Sequence, residues 1–191
     1  EILIGLVGSE MCIRDSFRVF HKYVSDTEGM EDPFMVLYFM DRTDVEVAVR
    51  ECADARPVFC IIRIDNMSEV TSEMTDVERS SLSSDVTEKV LSYFNERDGF
   101  IKQYNNTDFV ACISHKALVE MMEHNFDILD TVRAIHTVNR IPVTLSIGVV
   151  QIDDTFAKQY DEAQVSLDLA LGRGGDQALS LIHISEPTRP I

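Results

Sequence analysis

The chain has 191 residues, with 33 Asp and Glu against 17 Lys and Arg, for a formal net charge of −16. A surface this acidic argues against binding nucleic acid or an anionic membrane, because both need clustered Lys and Arg to meet phosphates. The few cysteines form no CxxC pair, which suits a reducing compartment and supplies no metal framework.

The two ends of the chain encode each other. The DNA GTG GGC TCG GAG ATG TGT ATA AGA GAC AG, completed by one base, translates to Val7 through Ser16. Its reverse complement, completed likewise, translates to Leu179 through Thr188. No fold requires such a relation, and the DNA resembles a transposase-type library adapter. Residues 1–16 and 179–191 are therefore read as translated adapter and are expected to pack poorly against the rest. A secretory signal at Glu1 to Ile13 is the alternative, but the acidic start and interior Glu10 do not match a basic n-region before an apolar core. Setting the ends aside removes four acidic and two basic residues, so the charge becomes −14. It also leaves three cysteines, Cys52, Cys60 and Cys112. Nothing between Phe17 and Ala178 approaches the roughly 18 continuous apolar residues of a membrane span.

In chain order, Phe17 to Val24 alternates apolar and polar residues, and Pro33 to Met40 is a continuous apolar run. With the turn-rich Ser25 to Asp32 between them, they predict an antiparallel pair. Two strands alone are marginal in water, so the pair reads as the edge of a larger sheet. Asp41 to Asp54 opens with Asp and Thr capping candidates and predicts a connecting helix, ended by Arg56-Pro57. Val58 to Ile64 is a β-branched run suited to a central strand finishing at Asp65-Asn66. Thr75-x-x-Glu78 is a capping box before Leu82, Val86, Val90, Leu91 and Phe94 at helical spacing, closed by Asp98-Gly99. Phe100 to Tyr104 and Thr107 to Ile113 then predict a hairpin turning at Asn105-Asn106, since Asn tolerates the positive φ of a two-residue turn. A helical pattern follows the Ser114 cap, breaks near Asn125 and runs to about Asn139. Val143 to Val150 is the next strand, and Phe156 to Leu171 the last helix, capped by Gly172. The order β-α-β-β-α-β-α predicts an α/β (α+β) fold with helices packed on a sheet that contains antiparallel strands.

The local sequences along this order resemble the GGDEF domain, the nucleotidyl-cyclase palm that in its active form makes cyclic di-GMP. Ile61 to Val70 (IIRIDNMSEV) lies where that family has a strand ending in Asp-x-Asp, and Tyr104 to Phe109 (YNNTDF) where it has its Gly-Gly-Asp-Glu-Phe hairpin. Val143 to Val149 (VTLSIGV) matches a later Thr-x-Ser-x-Gly strand. The departures fall on the chemistry. Two carboxylates on adjacent strands hold divalent cations against a triphosphate in an active cyclase. Here the first is replaced by Arg63 and the hairpin Glu by the shorter Asp108, while the two glycines are Asn105 and Asn106. Cyclic di-GMP synthesis is not expected.

Arg56 to Asn66 (RPVFCIIRIDN), Ile141 to Val150 (IPVTLSIGVV) and above all Leu167 to Ala178 (LDLALGRGGDQA) are similar to the middle of the cyclic-di-AMP phosphodiesterases of Gram-positive bacteria. The resemblance implies a parent with N-terminal membrane helices, a PAS sensor, a degenerate GGDEF domain and a C-terminal DHH phosphoesterase whose metal, Mn²⁺ by analogy, lies outside this chain. It divides the chain into the last PAS strands (17–42, with the signature Tyr38 to Asp44), a connecting helix (43–56), the degenerate GGDEF domain (57–172) and the start of a link to the DHH domain (173–178). It further implies a cytoplasmic position at a membrane-anchored parent, a homodimer, ATP as the bound nucleotide, and cyclic di-AMP handled only by the DHH domain. Nucleotide would contact Asp65, Asn105, Asn106 and Asp108, with Mg²⁺ or Mn²⁺ shared by Asp65 and Asp108.

Each reading has a plainer rival. Asp65 would instead cap local backbone and Asp108 face solvent. Arg63 would either touch phosphate or pair with a neighbouring carboxylate. Gly172-Arg173-Gly174-Gly175-Asp176 looks like a phosphate loop but follows a helix where such loops precede one, so a helix stop and flexible link accounts for it better. His115, His124 and His136 lack partners at ligand spacing, Met121-Met122 reads as core, and Ser81, Ser83 and Ser84 lack the His and Asp that would activate a nucleophile. The topology sets one further expectation. Asp65 and the Asn105 to Asp108 hairpin should lie together at one edge of a single sheet that also contains Val143 to Val150.

Overall fold

The computed structural model describes residues 16–24, 34–152 and 154–182, in two compact units, 1–54 and 55–191. In the first unit, β1 (Phe17–Val24) pairs antiparallel with β2 (Phe34–Asp41), Phe17 opposite Asp41, as its alternation predicts. Helix α1 (Thr43–Asp54) follows. Asp41 Oδ1 accepts the Thr43 N–H at 2.9 Å, which holds the Asp41 carboxyl below its usual range. The turn at Ser25 to Asp32 lies outside the described residues.

The second unit is a five-stranded mixed sheet in the order β4-β5-β3-β6-β7 with helices on both faces. Its central strand, β3 (Pro57–Ile64), pairs antiparallel with β5 (Asp108–Ser114) on one side and β6 (Leu145–Gln151) on the other. Side chains alternate between faces along a strand, so β3 belongs to two environments at once. Val58, Cys60, Ile62 and Ile64 enter the larger core. It is filled by the long helix α3 (Asp76–Asn95) through Leu82, Val86, Val90 and Phe94, and by the helices α4 (His115–Glu123) and α5 (Ile128–Arg133). Phe59 and Ile61 face α6 (Phe156–Gly172), where Ile61, Val150, Ala163 and Leu167 form a smaller core. The short helix α2 (Met67–Val70) and the edge strand β4 (Phe100–Gln103) complete the unit. Among the described residues, no helix is long and apolar enough to cross a membrane.

Helix starts obey their sequence signals. Thr75 and Glu78 form the capping box, Ser114 Oγ accepts the Ala117 N–H, and Thr155 Oγ1 accepts the Lys158 N–H. Two of the three helix ends depart from them, and the Asp98-Gly99 stop of α3 keeps to its signal. The helical stretch expected to reach Asn139 stops at Arg133, after Asn125 and Phe126 break it with φ of 53° and 52°. Helix α3 is closed by Asp98 at φ 54°, with Gly99 donating to Phe94 O. Gly172 is the last residue of α6 rather than its left-handed cap; the positive φ falls on Gly174 and Gly175.

The C-terminal stretch is the main correction. Residues 173–177, expected to be a flexible link, are tied to three neighbouring elements, and Ala178–Ile182 forms β7, parallel to β6 at the sheet edge. Leu179 to Ile182 were expected to pack poorly. An open sheet edge presents unpaired N–H and C=O groups, and a strand adds to it through its backbone with little demand on side chains. At the other end, Ser16 exchanges hydrogen bonds with Arg42 and Thr43. Residues 1–15 and 183–191 lie outside the described residues.

Candidate functional site

The predicted meeting of Asp65, the hairpin and the Val143 to Val150 stretch is found in the one sheet. Arg63, near the end of β3, lies opposite Asp108 on β5 and opposite Ser146 on β6. Residues directly opposite each other share a face, so Arg63, Asp108 and Ser146 all stand on the side covered by α6.

Asp108 is buried, with its side chain 8% exposed, and its charge is compensated inside the protein. Arg63 Nε donates to Asp108 Oδ1 at 2.5 Å, and Asn105 Nδ2 to Oδ2 at 2.6 Å. Asp108 raises the already high pKa of the guanidinium. Arg63 is 31% exposed, and only its Nε is committed to this pair. Tyr104 stands beside it, its hydroxyl pKa raised by burial and then by the Asp108 charge. Tyr160 of α6 lies near, its ring edge-on to Phe59 at 6.2 Å.

The hairpin is built differently from the expectation. Neither Asn105 nor Asn106 has positive φ. Instead, Asn105 Oδ1 accepts the N–H groups of Thr107 and Asp108 at 2.8 and 2.7 Å, and the Tyr104 N–H closes the loop on Asp108 O. The side chain takes the place of a backbone turn, as short Asn side chains do. Asn105 is thus occupied in shaping the loop and orienting Asp108, whereas Asn106 is exposed.

Asp65 has separate partners. Its Oδ2 accepts from Ser146 Oγ and from the backbone N–H of Asp176, both at 2.9 Å. Its Oδ1 is buried without a hydrogen-bond partner, and its N–H donates to Thr144 O. The Thr-x-Ser-x-Gly stretch can now be read position by position. Thr144 receives the end of β3, Ser146 holds Asp65, and Gly148 lets α6 cross, since a Cβ there would lie 2.3 Å from Ala163 O. Sequence reasoning missed Ser146 and Asp176 as partners of Asp65. Their signal was the alternation 144, 146, 148 on one face and the doubled glycine before Asp176.

These residues do not fit a metal ion shared by Asp65 and Asp108. Mg²⁺ and Mn²⁺ require free oxygen ligands, and Asp108 spends both oxygens on Arg63 and Asn105, which leaves Asp65 Oδ1 as the one carboxylate oxygen of the pair without a hydrogen-bond partner. A cleft of about 690 Å³ lies elsewhere, lined by residues of α3 and α5 that include Lys89, Tyr93, Arg97, Asp127 and His136. Arg97 stacks on the Tyr93 ring at 3.9 Å, and the Tyr93 hydroxyl donates to Asp127 at 2.8 Å.

The sheet order and flanking helices are those of the GGDEF class of nucleotidyl-cyclase palms. The active GGEEF domain of a diguanylate cyclase from Vibrio cholerae superposes with a TM-score of 0.56 at 16% identity, covering 71% of this chain and 88% of that one. The GGDEF domain of DgcB from Caulobacter crescentus, in complex with c-di-GMP, gives 0.56 at 13% identity, covering 73% and 88%. At such identities the likeness shows the fold alone. Residues 62–186 match the family described as "Cyclic-di-AMP phosphodiesterase GdpP-like, GGDEF domain", and the chain belongs to that family. It is 36% identical over 144 residues to the cyclic-di-AMP phosphodiesterase PdeA of Listeria monocytogenes, covering 75% of this chain and 22% of that protein. It is 36% identical over 142 residues to GdpP of Bacillus subtilis, covering 74% and 22%. The chain thus spans about a fifth of the length of these curated relatives.

Proposed function

We propose that the chain is the nucleotide-reading regulatory module of a cyclic-di-AMP phosphodiesterase, set between a PAS sensor and a DHH phosphoesterase in a membrane-anchored, dimeric parent. In this reading cyclic di-AMP is hydrolysed by the DHH domain, and the chain itself neither cyclises nor hydrolyses it. The names of the relatives support the parent's activity, and the Arg63–Asp108 pair carries the assignment of this module. Where a cyclase needs two anionic side chains to gather cations, this sheet has one anion and its own cation. That arrangement cannot supply the charge neutralisation of phosphoryl transfer. It retains the means to hold a nucleotide: the uncommitted edge of the Arg63 guanidinium for phosphate oxygens, the half-exposed Tyr104 for a base, and the exposed Asn106. A divalent cation enters with the triphosphate rather than residing between Asp65 and Asp108.

Isothermal titration with ATP and Mg²⁺ tests this. The expected result is saturable heat that Arg63→Ala abolishes, and incubation with GTP yields no cyclic di-GMP. A folded sample that gives no heat would contradict nucleotide reading. It would favour a ligand-free dimerisation and relay scaffold, a rival supported by the closed hydrogen bonding among Arg63, Asn105 and Asp108.

A further inference from the structure

The segment from Gly172 to Gln177 adopts a costly conformation. Gly174, Gly175 and Asp176 are successive residues with φ of 110°, 73° and 55°. For Asp176 this is a sparsely populated region that persists only where its surroundings fix it. Three elements do so. From the end of β3, Asp65 Oδ2 receives the Asp176 N–H at 2.9 Å, a charge-assisted hydrogen bond. From α5, Arg133 donates Nε and Nη2 to Asp176 Oδ2 at 3.1 and 2.6 Å. From α6, Ala170 O accepts the Gly175 N–H and the Gln177 side-chain amide. The fit is close, because a Cβ on Gly175 would lie 2.7 Å from Asp65 Oδ2.

We infer that Asp65 is a positioning residue, not a nucleotide or metal ligand: its carboxylate latches the chain leaving α6 onto the hairpin end of β3. Two residues before it, on β3, Arg63 holds the hairpin through Asp108. The end of β3 therefore grips the candidate nucleotide hairpin with one side chain and the exit loop with the other. A shift of the hairpin on ligand binding reaches the exit loop through a two-residue strand end, not through a mobile linker. The latch closes on the backbone of Asp176, ahead of Leu179. The geometry stands by itself; the inference rests on the regulatory reading only in taking the exit loop as the output.

Amide hydrogen exchange of the whole chain, followed by mass spectrometry on peptides covering 173–182, tests the latch without nucleotide. Asp65→Ala and Gly175→Ala should each speed exchange there by about tenfold or more, as for local opening of a segment that has lost its anchor, with α3 peptides unchanged. Asp65→Asn keeps an oxygen acceptor for Ser146 and Asp176 while removing the charge a metal ligand would need, and should speed exchange clearly less than Asp65→Ala. Unchanged exchange in Asp65→Ala would overturn the latch, as would loosening by Asp65→Asn equal to that by Asp65→Ala. Should Gly175→Ala not fold, Asp65→Ala and Asp65→Asn decide the matter. A failed ATP titration with the exchange pattern as expected would remove the regulatory reading and leave the latch standing.

Discussion

The two faces of the sheet use the same strands for different ends. On the α3 side, β3 contributes four buried apolar residues to a continuous core that runs out to Val132 and Met121. On the α6 side, Phe59 and Ile61 give way to Arg63 on the strand and to Asp65 just past its end, and the core shrinks to four buried residues. The first face is apolar along its whole length and carries the stability. The second is half core and half polar network, where Arg63, Asn105, Ser146 and the Asp176 N–H supply the partners of Asp108 and Asp65. A single alternating strand thus assigns fold to one side and chemistry to the other.

Substitutions sharpen this contrast when ranked by expected cost. Phe94, fully buried on the α3 face, should lose about 3–5 kcal/mol on Phe94→Ala, read from the urea midpoint, because a large cavity is left in a packed core. Gly148→Ala strikes the α6 face. Its Cβ would meet Ala163 O and Leu167 N, backbone atoms that cannot swing aside, so helix α6 must move off the sheet at a cost of about 3 kcal/mol. Arg63→Ala should cost about 1–3 kcal/mol, since it leaves the buried Asp108 with Asn105 as its remaining side-chain partner. A loss as large as that of Phe94→Ala would break the contrast by making the polar network as important to folding as the core. Thr75→Ala should cost about 1 kcal/mol in the same unfolding assay, because it removes a cap on an exposed turn.

Much of this division can be read from the sequence, because it is written in local signals. The apolar run of β3, the capping box at Thr75 and the helical spacing from Leu82 to Phe94 each depend on residues a few positions apart. That the end of β3 and the hairpin share one sheet followed once those elements were placed. What escaped depends on partners distant in sequence or on a choice between two uses of one residue. Asp65 and Asp176 are 111 positions apart, and no local pattern announces a carboxylate waiting for a backbone N–H. Asn105 suited a positive-φ turn and a side-chain-built turn equally well, and the Asp108 carboxylate decided for the second. Strand β7 was missed because edge pairing is a property of the sheet it joins.

The central claim is that the polar half of the α6 face is closed by its own ion pair, with Arg63 standing where a cyclase would hold a cation. Paramagnetic broadening of amide resonances by Mn²⁺, measured on the chain and on Arg63→Asp, tests it most directly. Arg63→Asp sets a second carboxylate directly opposite Asp108, and its amides near Asp108 should broaden at stoichiometric Mn²⁺, whereas those of the unsubstituted chain should stay sharp. Broadening of the Asp65 and Asp108 amides in the unsubstituted chain would contradict the account.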